Sequence, residues 1–218
     1  MYSNKENVNI LTALLVKGKI TKAVVCPGSR NSPIVHNLCA CPEIECYPVT
    51  DERSAGFVAL GMTLADNEPV AVCVTSGSAL LNLAPAVAEA FYQKRPLVII
   101  SADRPAQWID QQDGQTLQQH RALEPNVRKS VTLPEPHNEE ERWYCNRLVN
   151  EALNAVRMND GSPVHINVPI SEPLFEYNVS KLPDERNIFM LHATTNFISV
   201  YEMAADFFRG KKLMVVLG

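Results

Sequence analysis

The sequence predicts an α/β fold: a parallel sheet of six strands with helices on both faces. Two observations carry this. Short, nearly all-apolar runs alternate with segments of helical periodicity, the pattern of strands buried on both sides by their own crossover helices. Right-handed crossovers then bring the C-terminal end of every strand to one edge, and the polar, reactive residues cluster in the turns that follow those ends.

Taken in order, residues 9–17 place Ile10, Leu11, Leu14 and Leu15 on one helical face, with Gly18 as the C-cap. Ala23-Val24-Val25-Cys26 is a short buried strand closed by Pro27-Gly28, and a helix over 32–41 leads to a second, apolar-rich strand at 44–49. Thr50 or Asp51 then supplies the N-cap of a helix over 54–64, since either side chain can accept from the free N–H groups of the first turn. Residues 70–74 form the third strand, ending in Thr75-Ser76-Gly77-Ser78, and an Ala-rich helix follows over 79–93. The fourth strand, 97–100, leads into Ser101-Ala102-Asp103-Arg104-Pro105. The polar stretch 107–115, with Gln111, Gln112, Asp113 and Gly114, reads as a loop over the sheet edge. Strands at 130–133 and 164–168 are separated by a long helix over 139–158.

From 169 to 193 periodicity lapses into Pro- and Asn-containing sequence, the mark of a linker. A helix over 198–208 and a strand over 213–217 open a second α/β unit, too small to bury a core alone. The expected division is a first domain at 1–176, a linker at 177–195 and the start of a further domain at 196–218, so the sequence reads as part of a longer protein.

Composition narrows the function. The 218 residues are 46% hydrophobic and 20% charged, ordinary globular values, and a net charge of −4 offers nucleic acid no electrostatic footprint. No apolar run approaches the roughly 18 residues of a membrane span, and the N-terminus lacks the apolar stretch of a signal peptide. The expected location is the cytoplasm. The six cysteines fit a reducing compartment, Cys26 and Cys73 lying inside apolar strands. His36, Cys39, Cys41 and Cys46 invite a zinc reading, but their spacing meets the paired-ligand rule only loosely. His36, His120, His137, His165 and His192 follow no ligand or triad pattern and read as surface or packed side chains.

The strand ends hold the chemistry. Neither G-x-G-x-x-G nor G-x-x-x-x-G-K-[ST] occurs, so dinucleotide and phosphate-loop readings fail, and Gly-x-Ser-x-Gly is absent. Glu52 sits where a strand gives way to a helix, at the edge where open α/β sheets bind ligands. By itself it could equally complement the helix dipole. Arg30 and Arg104 each follow a strand end and can present a planar fork of donors to a carboxylate. Together they suggest a pocket for an anionic substrate beside a carboxylic acid.

Five motifs occur in order: Pro27-Gly28-Ser29-Arg30-Asn31-Ser32-Pro33, Asp51-Glu52-Arg53-Ser54-Ala55-Gly56, Thr75-Ser76-Gly77-Ser78, Ala102-Asp103-Arg104-Pro105 and Gly114-Gln115-Thr116. On these the chain resembles the N-terminal, pyrimidine-binding domain of a thiamine-diphosphate-dependent synthase family of menaquinone biosynthesis. The resemblance spans residues 9–173, and the first two motifs make it specific.

It implies that Glu52 hydrogen-bonds the aminopyrimidine nitrogen of the cofactor as the catalytic carboxyl. Burial against its helix would make it a better proton partner near neutral pH. Pro27, Thr75, Ser76 and Gly77 would lie near the cofactor ring. Ser29, Arg30, Arg104 and Gln115 match positions that hold the carboxylates and hydroxyl of isochorismate or its adduct. The implied reaction decarboxylates 2-oxoglutarate and adds the remaining succinyl unit to isochorismate, with the cofactor as electron sink.

A divalent metal, Mg²⁺ or Mn²⁺, is implied as well, held through a Gly-Asp-Gly motif that this sequence lacks. The resemblance also implies a homodimer or homotetramer with the site between subunits, so these residues alone are expected to fold but not to catalyse. Two departures stand out: Ser78 replaces a frequent Thr, and Gly114 stands where some members have Asn.

Two other readings stay open at this point. One is a different thiamine-diphosphate-dependent 2-oxo acid decarboxylase or acetohydroxyacid-type synthase, whose smaller substrate would not need both arginines. The other is a non-catalytic α/β ligand-binding module, in which Glu52 is only a helix cap.

Overall fold

The computed structural model describes residues 1–158, 161–190, 197–212 and 214. They divide into two units, Met1–Ile188 and Phe189–Gly218. In the first unit the chain runs through α1 (Glu6–Lys17), β1 (Lys22–Val25), α2 (Ser32–Ala40), β2 (Glu45–Pro48), α3 (Glu52–Asp66) and β3 (Val70–Val74). It continues through α4 (Ser78–Asn82), α5 (Ala84–Tyr92), β4 (Leu97–Asp103), β5 (Lys129–Thr132), α6 (Glu139–Val156) and β6 (Val164–Pro169). The strands form one six-stranded sheet in the order β2-β1-β3-β4-β6-β5, and every neighbouring pair is parallel. The predicted fold class is the observed one.

The two-residue period of each strand divides the core into two apolar clusters. On one face Ala23, Val25, Ala71, Cys73, Val98, Ile100, Ile166 and Val168 meet α1, α2 and α6 through Leu11, Leu14, Leu15, Leu38, Val149 and Val156. On the other, Val24, Val70, Val72, Val74, Leu97 and Ile99 meet α3, α4 and α5 through Ala55, Ala59, Leu60, Leu80, Leu83 and Val87. Small residues on α3 let it lie close to its neighbours: a Cβ added to Gly56 would come within 2.9 Å of the Ala86 Cβ.

The Ala-rich segment expected as one helix over 79–93 is two helices. Pro85 has no N–H to give an earlier carbonyl, so it occupies the second position of a new helix, where that hydrogen is not needed. The α4 turn closes just before it, with the Leu83 N–H donating to the Leu80 carbonyl at 3.1 Å. β4 also runs further than expected, to Asp103, so that residue ends a strand.

Among the described residues, no α-helix covers the second face over β6 and β5. Residues 104–128, with a short 3-10 turn at Ala106–Trp108, lie there instead. Leu123 and Val127 enter the apolar cluster from this segment, and Gln119 enters a buried polar one.

Residues 177–188 lie on the first unit. Tyr2 and Val179 form an antiparallel bridge, Glu185 is buried against Arg142 and Asn146, and the Ile188 N–H donates to Asn150 Oδ1 at 2.8 Å. The second unit contains α7 (Phe197–Phe208), the helix expected at 198–208. Apart from Met214, the strand expected at 213–217 lies outside the described residues, as does His192.

Candidate active site at the strand edge

The chain steps from β1 outward to β2, then returns to β3 on the other side of β1. That reversal opens a crevice beyond the C-terminal ends of β1 and β3, the place where such sheets take ligands. The loops meeting there are tightly fitted. A Cβ on Gly28 would lie 2.5 Å from the Thr75 Cβ and 2.6 Å from Asn31 Oδ1, so only glycine lets the two turns touch. Asn31 ties its own turn down by donating from Nδ2 to the Cys26 carbonyl at 2.8 Å.

Glu52 is the first residue of α3, and Asp51 caps the helix, its Oδ2 accepting the Ser54 N–H at 2.8 Å. Of the two N-caps the sequence allows, Asp51 is used. Burial pushes the Cys26 thiol at the end of β1 up to about 12, with the Glu52 carboxylate adding to the effect. The Glu52 side chain is half-buried, so the apolar enclosure expected around it is not made by these residues alone.

After β3, Thr75 and Gly77 are buried and Ser76 is 0% exposed, yet Ser76 Oγ has no hydrogen-bond partner within the chain. A buried hydroxyl left this way loses free energy unless a ligand or solvent engages it. Gly77 has φ +80°, and Gln115 packs over it, its Cγ and carbonyl oxygen each 3.0 Å from where a Cβ would stand. Gln115 itself is exposed, as are Pro27 and Ser29.

The two arginines come together at this edge. Arg30 and Arg104 line one cavity of about 470 Å³ with Trp108, Asp113, Ser171 and Glu172. Their side chains are 11% and 16% exposed. Arg30 Nη1 donates to the Ile170 carbonyl at 2.8 Å and Nη2 pairs with Glu172 at 2.9 Å. Arg104 Nη2 donates to the Gly114 carbonyl at 2.8 Å while the guanidinium pairs with Asp113. Burial, and then the positive charge of Arg104, pull Arg30 below the usual arginine range. Two partly desolvated cations in one cavity favour an anion with more than one negative group.

Sequence reasoning gave no role to Asp103, Gln119, His165 and Asn167, which are buried behind this edge and joined by hydrogen bonds. The signal was present: in β6 the apolar residues Val164, Ile166 and Val168 alternate with His165 and Asn167, so one face of that strand is polar. The zinc reading gains nothing. His36 stacks on Tyr177 with ring centroids 3.7 Å apart and bonds the Met1 carbonyl at 2.9 Å. Among the described residues no three His, Cys, Asp or Glu side chains are grouped to hold a metal ion.

The fold and the edge are those of a cofactor-binding α/β domain, and comparison with known families gives its class. Residues 6–124 match the model of the thiamine pyrophosphate enzyme family, N-terminal TPP binding domain, and the chain belongs to that family. The pyrophosphate is the diphosphate under its other name.

Named relatives narrow the class. The chain is 59% identical over 188 residues to the 2-succinyl-5-enolpyruvyl-6-hydroxy-3-cyclohexene-1-carboxylate synthase of Bacteroides fragilis, covering 86% of this chain and 34% of the relative. It is 53% identical over 219 residues to the synthase of that name from Bacteroides thetaiotaomicron, covering 100% and 40%. With the one from Porphyromonas gingivalis it shares 42% over 220 residues, covering 100% and 38%. The chain thus spans between a third and two fifths of the length of these curated relatives.

The residues fit the cofactor's pyrimidine end. A carboxyl on a helix N-terminus and an orphaned buried hydroxyl on the same sheet edge can meet a flat, nitrogen-bearing ring. Among the described residues no helix is long and apolar enough to cross a membrane.

Proposed function

We propose that the protein carrying this chain decarboxylates 2-oxoglutarate and adds the succinyl unit to isochorismate, a step of menaquinone biosynthesis. The observation that carries the reading is the cavity that Arg30 and Arg104 share, on the same sheet edge where Glu52 starts α3. A small, singly charged 2-oxo acid has no use for two desolvated guanidinium groups, whereas a polycarboxylate does.

Thiamine diphosphate, when bound, supplies the electron sink for loss of carbon dioxide from the 2-oxo acid. Glu52 would meet the pyrimidine nitrogen with its carboxyl and share a proton with it. Pro27, Thr75, Ser76 and Gly77 would lie near that ring, and Ser76 Oγ would find there the partner it lacks within the chain. Arg30 and Arg104 orient the carboxylates of isochorismate, while Ser29 and Gln115, both exposed at the edge, reach its remaining polar groups.

Mg²⁺ or Mn²⁺ would be held by residues other than these, since a Gly-Asp-Gly does not occur here. That leaves 1–176 as the pyrimidine domain, 177–195 as connection and 196–218 as the start of a further domain. The exposed Phe57, Val58 and Leu64 of α3 and Leu81 of α4 support a homodimer or homotetramer whose second copy completes the cofactor site. Free thiols at Cys26, Cys73 and Cys145 support a cytoplasmic setting.

The test is consumption of 2-oxoglutarate by the full-length protein with thiamine diphosphate and Mg²⁺, with and without isochorismate. Carboligation that needs isochorismate and nearly vanishes in Glu52→Gln is expected. Turnover indifferent to isochorismate would move the protein to another 2-oxo acid decarboxylase, and absence of cofactor binding would leave a ligand-binding module.

A further inference from the structure

We propose that Gln119 is a positioning residue that holds the cofactor-side loop and the substrate-side arginine at one fixed spacing. The inference rests on the reading of Gly77 as cofactor-side and Arg104 as substrate-side. Gln119 is 1% exposed and lies in the irregular segment that covers β4 and β6.

Its Oε1 accepts the Gly77 N–H at 2.7 Å, and a backbone N–H can only donate, so the amide has one possible orientation. Nε2 therefore donates, to the Ala102 carbonyl at 3.0 Å and to Asn167 Oδ1 at 2.7 Å. That makes Asn167 Oδ1 an acceptor and leaves its Nδ2 to donate to Asp103 Oδ2 at 2.7 Å. The other oxygen of Asp103 accepts the Arg104 N–H at 2.8 Å. A continuous chain of hydrogen bonds thus runs from Gly77 to Arg104, and the backbone groups at its ends fix the polarity of every joint. Ser101 Oγ buttresses it, donating to Asn167 Oδ1 at 2.8 Å and meeting His165 Nε2 at 2.8 Å.

Such a chain resists relative movement of its ends. Every member but Arg104 is buried, and sliding the Gly77 loop against Arg104 would leave at least one amide group without a partner. The two ends carry groups that must meet two different ligands, and misplacement of about 1 Å is enough to lose much of a rate advantage that depends on orientation. Only Gln fits: it accepts once and donates twice. Leu can do neither, and a carboxylic acid can donate only while protonated.

The experiment uses the full-length protein with Gln119→Leu and Gln119→Glu, reading the Kd for thiamine diphosphate, the KM for isochorismate, kcat and Tm. For the Leu variant both Kd and KM are expected to rise about five- to tenfold, the size of one or two lost buried hydrogen bonds. For the Glu variant kcat/KM should approach that of the wild type at low pH and fall as the introduced carboxyl ionises among Asp103, His165, His120 and Arg104. The wild type should show no matching fall. A change in only one ligand, a change in neither, or a Glu-variant pH profile parallel to the wild type would overturn the proposal. If the Leu variant does not fold, the Glu profile decides alone. A wild type that does not bind thiamine diphosphate would overturn the functional reading instead.

Discussion

At the β4–β6 end of the strand edge, each arginine is gripped by a carbonyl and a carboxylate of its own chain, in a cavity walled by Trp108 and Ser171. At the β1–β3 end the loops are fitted as closely, yet what they present is unfinished. Glu52 is half-buried, Ser76 Oγ has no partner within the chain, and the neighbouring face of α3 shows Phe57 and Val58 to solvent. The contrast teaches that one end of an edge can hold its charged groups with partners of its own domain, while the other keeps a buried hydroxyl unpaired within the chain and an apolar helix face exposed. Charged groups are steered locally by paired partners. A flat ring with a long diphosphate tail needs walls on two sides.

The comparison can be broken or sharpened by substitution, beginning with the largest expected effect. In the full-length protein Glu52→Gln should lower kcat by about 10²- to 10⁴-fold, the range of a lost proton-transfer partner. Its Tm should stay that of the wild type, because Asp51 and not Glu52 caps α3. Turnover within a factor of about three of the wild type, far short of that range, would reduce Glu52 to a dipole-complementing charge.

Gly28→Ala should destabilise by about 1–3 kcal/mol, since its Cβ must displace the Thr75 side chain at 2.5 Å. Gly114→Ala makes the contrast, because a Cβ there meets nothing within 4 Å. Urea unfolding of both variants reads the difference. Equal stabilities would mean that the two turns are not in contact at the crevice.

His165 supplies a pH test of the network behind the arginines. Full burial holds its pKa down to about 3 from an ordinary 6.5. The unfolded chain therefore takes up a proton that the folded one refuses. The associated stability is fully present above pH 6.5 and is lost as pH falls towards 3, at up to about 1.4 kcal/mol per pH unit. Measured as the difference between wild type and His165→Gln, that slope should appear between pH 6.5 and 5. Parallel curves would place His165 in contact with solvent.

Asp51→Ala carries the smallest expected effect, about 1 kcal/mol from the lost N-cap, read as a lower Tm. Unchanged Tm would mean that the first turn of α3 finds other partners.

Much of this was legible in the sequence. All six strands and the edge that gathers Glu52, Arg30 and Arg104 follow from apolar runs and the handedness of parallel crossovers. What was not legible is tertiary. Pro85 cuts a helix that composition alone continues. In Gln115-Thr116-Leu117-Gln118-Gln119 three residues of one type differ only in what lies beneath them: Gln119 is buried, Gln115 and Gln118 exposed. No period singles out Gln119, because the segment over β4 and β6 has none. Around Glu52 the sequence led to an expectation of burial against α3, and the structure leaves the residue half-buried.

The central claim is that the two ends of the edge serve two different ligands. It is tested most directly by measuring, in the full-length protein, the Kd for thiamine diphosphate and the KM for isochorismate in Arg104→Ala. Loss of one charged hydrogen-bonding group should raise the KM by about tenfold to a hundredfold. The cofactor Kd should stay within about twofold of the wild type, because the substitution removes the guanidinium but keeps the Arg104 backbone N–H that ends the hydrogen-bond chain from Gly77. A Kd that rises in step with the KM, or a KM that does not move, would contradict the division.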